Sequence, residues 1–223
     1  CYSTMNPKSK IIMSESVTQT LETKVAVYNR SHWGCIKVSD DDRLRFLHNQ
    51  STNDFESLKS GQGCDTVFVT STARTIDLAS AYVTDDAVLL LVSPNRREYL
   101  MQWLDKYIFF ADKVQLTDLT DETVTFSIIG SQSDAILEKL GVSEIIGKAY
   151  DSHIPIPNLD GDTKNIIAVG SGLATPGYTL ILNGNQKEEI WSKIIEADAI
   201  KINDNDWEML RILQGRPHPE SEL

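Results

Sequence analysis

Hydrophobic and polar positions along the chain fall mostly into short blocks typical of strands, with a few stretches of helical periodicity. Three neighbouring blocks are rich in β-branched and apolar residues and are joined by tight polar turns, which predicts an antiparallel meander. A helix is predicted next, because Leu100, Trp103 and Leu104 recur at i, i+3 and i+4 and give a core-facing stripe. The three predicted strands are 64–70, 75–83 and 87–92.

Two shorter β-prone blocks lie upstream, at 25–28 and 35–38. A polar connection that ends in Gly34 separates them, and this spacing predicts a hairpin-like pair. Asp40 is predicted to cap the helix that follows, which would place two further acids in its positive first turn.

From about residue 113 the predicted order is two strands, a helix, one or more strands and another helix. Ser131 is predicted to cap the first of these helices and Gly141 to end it, and Asp160-Gly161 marks a turn. This order favours a strand-rich α+β fold over the strict alternation of a doubly wound sheet. The last two helices are predicted at 186–197 and 206–214.

Composition and charge narrow the classes of function. With 223 residues, 41% of them hydrophobic, the chain is long enough for a sizeable core. A net charge of −11 argues against nucleic acid as the main partner. No apolar run approaches the roughly 20 residues of a membrane span, so no membrane association is expected. The three cysteines lack metal-ligand spacing, and their odd count fits reduced thiols.

The first 14 residues contain two lysines and no acid, unlike the acidic remainder. This bias is typical of an organelle transit peptide, although a cloning remnant or a frayed terminus would look the same.

Few residues suggest chemistry by themselves. Gly61-x-Gly63 lacks the lysine of a phosphate-binding loop, and the four histidines show no metal spacing. Asp77 stands out because it is one carboxylate inside a neutral strand. It is either an ordinary solvent-facing charge or a group that lines a cavity, where it would accept hydrogen bonds from a heterocycle rich in N–H groups or hold an amine.

Four segments, in order, resemble the tetrahydrofolate-binding YgfZ-type proteins, which are relatives of the aminomethyltransferase (T-protein) of the glycine cleavage system. The closest likeness is to the plastid branch of plants and algae. These segments are SHWGCIKVSDDDRLRFLHNQSTNDF, GQGCDTVFVTSTARTIDLASAYV, KYIFFADKVQL and LRILQGRPHPESEL.

The resemblance implies two small strand-rich α+β units around a central folate pocket, with the family's C-terminal β-barrel absent because the chain stops before it. The chain would then be a fragment of the family's full length. The expected division is 1–20 as a disordered or targeting remnant, 21–112 as the first unit with a pocket wall, 113–203 as a second, ferredoxin-like unit, and 204–223 as the start of a segment that returns to the first unit.

Departures from the family pattern weaken the case for catalysis. The aminomethyltransferases carry two adjacent aspartates where this chain has Asp77-Leu78. Thr179 aligns with their pterin-anchoring glutamate, and Ser93 aligns with an asparagine. The cysteine motif of the YgfZ branch would lie beyond Leu223. The resemblance therefore implies a folate-binding accessory protein, and enzymatic activity is not expected.

The implied cofactor is tetrahydrofolate or a derivative, and the implied role is assistance in iron–sulfur cluster assembly or repair. Partners would be client iron–sulfur proteins or assembly factors, in the plastid stroma or, as second choice, the mitochondrial matrix. Two alternatives stay open: a folate-dependent aminomethyl or one-carbon transferase, and a degenerate domain that binds a protein partner. The residues expected to bind the cofactor are Asp77, Arg211, Asn53, Arg74 and Tyr178, and Trp33 is a further stacking candidate.

Overall fold

The computed structural model describes residues 15–156, 165–219 and 222. The helices in these ranges are α1 (Glu15–Thr23), α2 (Arg43–Gln50), α3 (Arg97–Asp105), α4 (Ser133–Leu140), α5 (Lys187–Glu196) and α6 (Asp204–Leu213). The strands are β1 (Ala26–Asn29), β2 (Gly34–Ser39), β3 (Gln62–Val69), β4 (Thr75–Val83), β5 (Ala87–Val92), β6 (Gln115–Asp118), β7 (Thr123–Ile129), β8 (His153–Pro155), β9 (Ile166–Val169), β10 (Gly177–Asn183) and β11 (Ile200–Lys201).

The strands form two sheets, which confirms the predicted α+β class. One sheet has five strands in the order β3-β4-β5-β2-β6, and the other has six in the order β11-β1-β7-β10-β9-β8. The predicted meander of β3, β4 and β5 is present with antiparallel pairing. In the described part of the chain neither sheet closes into a barrel.

The predicted hairpin between the first two strands is wrong. β1 pairs with β7 and β11 in the six-stranded sheet, whereas β2 pairs with β5 and β6 in the five-stranded sheet. Both edges of each strand are therefore occupied by other partners. The chain crosses between the sheets after β1 and again after β6, so the expected unit boundary at residue 113 lies just before a strand of the first sheet.

The helix ends differ in part from the predictions. Asp40 has a left-handed backbone with φ of 82°, and α2 begins only after Asp42, so Asp40 is not the cap. Gln132, not Ser131, precedes α4, while Gly141 ends that helix in the left-handed conformation as predicted. Residues 15–20, expected to belong to a disordered or targeting segment, form part of α1. The predicted turn at Asp160-Gly161 lies outside the described residues.

The two sheets pack face to face, with helices on the outer face of each, and three hydrophobic clusters hold these four layers together. One joins the six-stranded sheet to α4 and α5, and another joins the five-stranded sheet to α2 and α3. The third lies between the inner faces of the sheets and includes Tyr28, Trp33, Tyr82 and Trp207. Burial of these faces is the main stabilising contribution. None of the helices formed by the described residues has the length and apolar character to cross a lipid bilayer.

Candidate functional site

A pocket of about 330 Å³ opens where the two sheets meet α6 and the segment after it. This volume lies at the lower end of the range of small-molecule sites, about 300–1,000 Å³. The lining residues come from the β1–β2 connection, β4, the end of β5, α6 and the C-terminal segment: Tyr28, His32, Trp33, Leu78, Ser93, Pro94, Asp204, Asn205, Trp207, Glu208, Arg211, Arg216, Pro217, His218 and Pro219.

Aromatic rings form one wall of the pocket. Trp207 stacks on Tyr28 with ring centroids 4.6 Å apart, and it meets the edge of Trp33 at 6.3 Å. A capping box begins α6, since the Asn203 side chain accepts from Asp206 N–H and the Asp206 carboxylate accepts from Asn203 N–H. This cap fixes the first turn of the helix, and with it the position of Trp207. The three residues are largely buried, with Tyr28 3%, Trp33 8% and Trp207 4% exposed, so they present a mostly apolar wall to the pocket.

A buried arginine lies behind this aromatic wall. The Arg30 guanidinium carbon is 4.0 Å from the Trp33 ring centroid and 5.0 Å from that of Trp207. Its Nη1 donates to Ser127 Oγ at 3.2 Å, while Nε and Nη2 have no hydrogen-bond partner. Burial, together with the nearby Arg216 cation, lowers the pKa of Arg30 to about 10. Arg30 is thus a buried cation that pairs with no carboxylate among the residues that the structure describes.

Two other arginines, Arg211 and Arg216, line the pocket itself, and their environments differ. All five N–H donors of Arg211 are used, on Glu208, Glu222 and the Arg216 carbonyl. The hydrogen bonds to the two glutamates raise the pKa of Arg211. Arg216 is less engaged: its Nη1 lies 3.5 Å from Asp65 Oδ2, and its buried Nη2 has no partner. Arg216 is therefore the pocket cation with spare donors, and Arg211 serves an internal ion-pair network.

Asp77 does not line the pocket. Its side chain is fully buried, Oδ1 accepts from Leu78 N–H and Oδ2 accepts from Ser93 N–H, both at 2.9 Å. Burial raises the pKa of Asp77, against the lowering effect of these hydrogen bonds. A register shift opposite Phe68 and Val69 turns Ile76 and Asp77 both inward and leaves Leu78 at the pocket wall. The expectation that the Asp77 carboxylate faces a cavity open to solvent is therefore wrong.

The other three residues expected at the site lie elsewhere. Asn53 donates to the Asp65 carbonyl from a loop before β3, and Arg74 is exposed in the β3–β4 turn. The Tyr178 hydroxyl donates to Asp134 at 2.6 Å, and its ring packs in the core beneath α4. Of the five predicted residues only Arg211 lines the pocket, together with the stacking candidate Trp33.

The sequence reasoning missed Trp207, Arg30 and Arg216. A tryptophan in the first turns of the final predicted helix and an arginine next to a turn tryptophan were the available signals. Neither signal places a side chain in a pocket, because the contacts join residues more than 170 positions apart.

Carboxylates meet at the seam between the sheets near Arg216. Asp65 accepts from Ser80 Oγ at 2.6 Å. Burial and the neighbouring Asp65 charge raise the pKa of Asp151 to about 7. Burial and the same two acids raise the pKa of the Cys64 thiol to about 12, so this cysteine is a neutral, packed side chain. Among the described residues no His, Cys, Asp and Glu side chains cluster as metal ligands.

A second, larger groove of about 630 Å³ lies on the other side of Tyr28. It is more open than the aromatic pocket, and charged and amide side chains dominate its lining. Ligand sites are concave and mostly apolar with few polar groups, so the smaller pocket is the stronger candidate.

Comparisons with known proteins agree with this architecture. The family model described as the GCVT N-terminal domain matches residues 6–204. The chain is 44% identical over 209 residues to the Arabidopsis thaliana protein named "Putative transferase At1g60990, chloroplastic", covering 94% of this chain and 48% of that protein. It is 24% identical to the aminomethyltransferase of Bacillus subtilis (strain 168), covering 80% of this chain and 49% of that protein.

A solved structure shares the fold. The glycine cleavage system aminomethyltransferase T from Bartonella henselae superposes with a TM-score of 0.80 at 16% identity, covering 90% of this chain and 54% of that chain. The chain spans about half the length of the curated relatives it matches.

Proposed function

This chain belongs to the family of the GCVT N-terminal domain, which the T-protein shares, and from that premise we propose that it binds a folate derivative in the aromatic pocket. The main support for folate binding is the composition of the pocket. Trp33, Trp207 and Tyr28 line it with aromatic rings beside a guanidinium, Arg216, that has a free donor. A reduced folate has planar rings that suit such a wall and glutamyl carboxylates that suit such a cation.

The proposed role is that of an accessory protein and not of an enzyme. One-carbon transfer needs a group placed to stabilise charge at the reacting amine. Asp77 cannot supply it, because both oxygens already accept backbone N–H groups and Leu78 faces the pocket. Asp77 acts instead as a positioning residue that holds the backbone of Leu78 and Ser93 at the pocket wall.

The proposed process is assembly or repair of iron–sulfur clusters, with client iron–sulfur proteins or assembly factors as partners. Its support is the resemblance of four segments to the YgfZ-type proteins. The proposed compartment is the plastid stroma, supported by the name of the Arabidopsis relative, which places that relative in the chloroplast.

A folate-dependent one-carbon transferase is the second candidate, and the names of the bacterial relatives favour it. The two candidates share the binding step and differ in turnover. Incubation with methylenetetrahydrofolate or with N-methylated amino acids, followed by assay of released formaldehyde or of the folate product, separates them. The accessory role predicts binding without turnover.

Binding is tested by calorimetric titration with 5-formyltetrahydrofolate. The Leu78→Trp variant fills the pocket from a half-buried wall position, and Thr72→Trp adds the same ring at an exposed position of the same hairpin. We expect saturable binding to the wild type and to Thr72→Trp, and about tenfold or greater loss in Leu78→Trp. Equal affinity in all three proteins, or no binding to the wild type, would refute the proposal.

A further inference from the structure

We propose that Arg30 and Arg216 together form an anion subsite of the aromatic pocket, so that the ligand of this site carries a carboxylate or phosphate group. Arg216 contacts the anion, and Arg30 supplies a second positive charge from behind the tryptophan rings. The inference rests on the proposed function only in placing a ligand in this pocket.

Within the described part of the chain, no carboxylate forms an ion pair with the Arg30 guanidinium. The residue is 1% exposed, and its polar partner is the uncharged Ser127 hydroxyl. Two of its guanidinium nitrogens are buried without a partner, which is unfavourable for folding. A buried cation left in this condition is unusual in a structural core and typical of a binding site.

The fold leaves room for this cation. Gly172 has φ of 83°, and a Cβ at that position would collide with Arg30 Nη1. The rings of Trp33 and Trp207 hold the guanidinium by cation–π contacts, and both rings line the pocket. The Arg30 charge therefore lies directly behind the surface on which a planar ligand would stack.

Arg216 brings the second cation to the pocket itself. Its side chain is 11% exposed, it lines the pocket, and its Nη2 is buried without a partner. Arg216 lies close enough to Arg30 that the two charges repel, which is one cause of the lowered pKa of Arg30. Two like charges this close favour an anion beside them.

The nearby acids do not supply acceptors for the unpartnered nitrogens of Arg30 and Arg216. Asp65 is 3.5 Å from Arg216 and also accepts from Ser80, so it offers one long ion pair. Asp151 interacts with Asp65, and the raised pKa of its carboxyl leaves it partly protonated near neutral pH. The remaining acids at the pocket are engaged: Asp204 accepts from Tyr28, and Glu208 and Glu222 pair with Arg211. Arg30 and Arg216 are thus distinguished by three buried guanidinium nitrogens that lack hydrogen-bond partners, and not by an excess of positive charge over the acids around the pocket.

The subsite is tested with small anions. Calorimetry measures the affinity of the wild type for p-aminobenzoylglutamate, which carries two carboxylates, for inorganic phosphate, and for the uncharged 6-methyltetrahydropterin. We expect one or both anions to bind, with the better of them identifying the natural group. Arg216→Gln should weaken anion binding about tenfold or more, and Arg216→Lys should restore part of it. Affinity for the uncharged pterin should not change between these proteins.

The matched control is Arg74→Gln, which removes an exposed arginine outside the pocket and should leave every affinity unchanged. Absence of anion binding to the wild type, equal anion binding in Arg216→Gln, or equal loss of pterin and anion binding in that variant would overturn the subsite. Loss of 5-formyltetrahydrofolate binding in Leu78→Trp but not in Arg216→Gln would overturn the subsite alone. Anion binding that depends on Arg216 in a protein that does not bind 5-formyltetrahydrofolate would support the subsite and refute the folate proposal.

Discussion

The buried carboxylate of Asp77 accepts a hydrogen bond from the backbone N–H of Ser93 at 2.9 Å, and this bond fastens the end of β5 to β4. The other oxygen accepts from Leu78 N–H. Both donor residues line the pocket, so a carboxylate outside the lining determines the shape of its wall.

Asp77→Ala should therefore lower stability first and ligand binding second. The substitution leaves the buried Ser93 N–H and the partly buried Leu78 N–H without acceptors, and we expect the free energy of unfolding to fall by about 2–4 kcal/mol. Urea denaturation measures this loss. Asp85→Ala, at an exposed turn after β4, is the control and should stay within about 0.5 kcal/mol of the wild type. A stable Asp77→Ala protein would show that the two bonds contribute little.

Arg211→Lys should loosen the segment that follows α6. Lysine keeps the charge but cannot reproduce the fork of donors that joins Glu208, Glu222 and the Arg216 carbonyl. We expect faster hydrogen exchange of the Gly215, Arg216 and His218 amides and weaker ligand binding, because Arg216 and the residues after it lose their anchor. Unchanged exchange in this segment would show that the network is dispensable.

Local sequence patterns predicted the individual helices and strands better than they predicted which strands pair with each other. The meander of β3 to β5 and the buried stripe of α3 follow from alternation and helical spacing inside one segment. The pairing of β1 with β7 and β11 depends on strands about 100 to 170 residues away, and no local turn signal encodes it. The short β-prone sequence of β1 is compatible with a place in either sheet.

Local sequence patterns also failed to predict which single residues line the pocket. Strict alternation along β4 would put Asp77 and Ile76 on opposite faces, but the irregular register turns both inward and gives the wall position to Leu78. Arg211 looked like the pocket cation because it lies in a helix that matches the family. Glu208 pairs with it from one turn earlier in the same helix, but Glu222 reaches it only because the C-terminal segment folds back on α6.

Arg30→Met should weaken anion binding without weakening the fold. Methionine keeps a long apolar stem against Trp33 and Trp207 and removes a buried charge with two unpartnered nitrogens. We expect the free energy of unfolding to stay the same or to rise by up to about 2 kcal/mol. The affinity for p-aminobenzoylglutamate or phosphate should fall about tenfold. A loss of more than about 2 kcal/mol of stability would mark Arg30 as a structural residue.

Asp151 should make stability depend on pH near neutrality. Its folded-state pKa of about 7 lies above the ordinary value of 3.8, so between these values the folded protein binds a proton that the unfolded chain does not. Stability should therefore fall as the pH rises towards 7, by at most about 1.4 kcal/mol per pH unit.

Asp151→Asn removes this titration and keeps a residue that tolerates the local φ of 61°. The stability advantage of the variant should grow between about pH 5 and pH 8 in thermal or urea unfolding. Parallel pH profiles for the two proteins would contradict the assignment, since the contribution of Asp77 is common to both.

The central claim is that a planar ligand stacks at Trp33 and Trp207, and the indole N–H resonances of the four tryptophans test it most directly. Trp103 belongs to α3 and packs in a separate core, and Trp191 lines the other groove, so both serve as internal controls. Titration of ¹⁵N-labelled protein with 5-formyltetrahydrofolate should shift the Trp33 and Trp207 signals in a saturable way and leave Trp103 and Trp191 nearly unchanged. Saturable shifts confined to Trp103 or Trp191, or no shift at any tryptophan, would contradict the account.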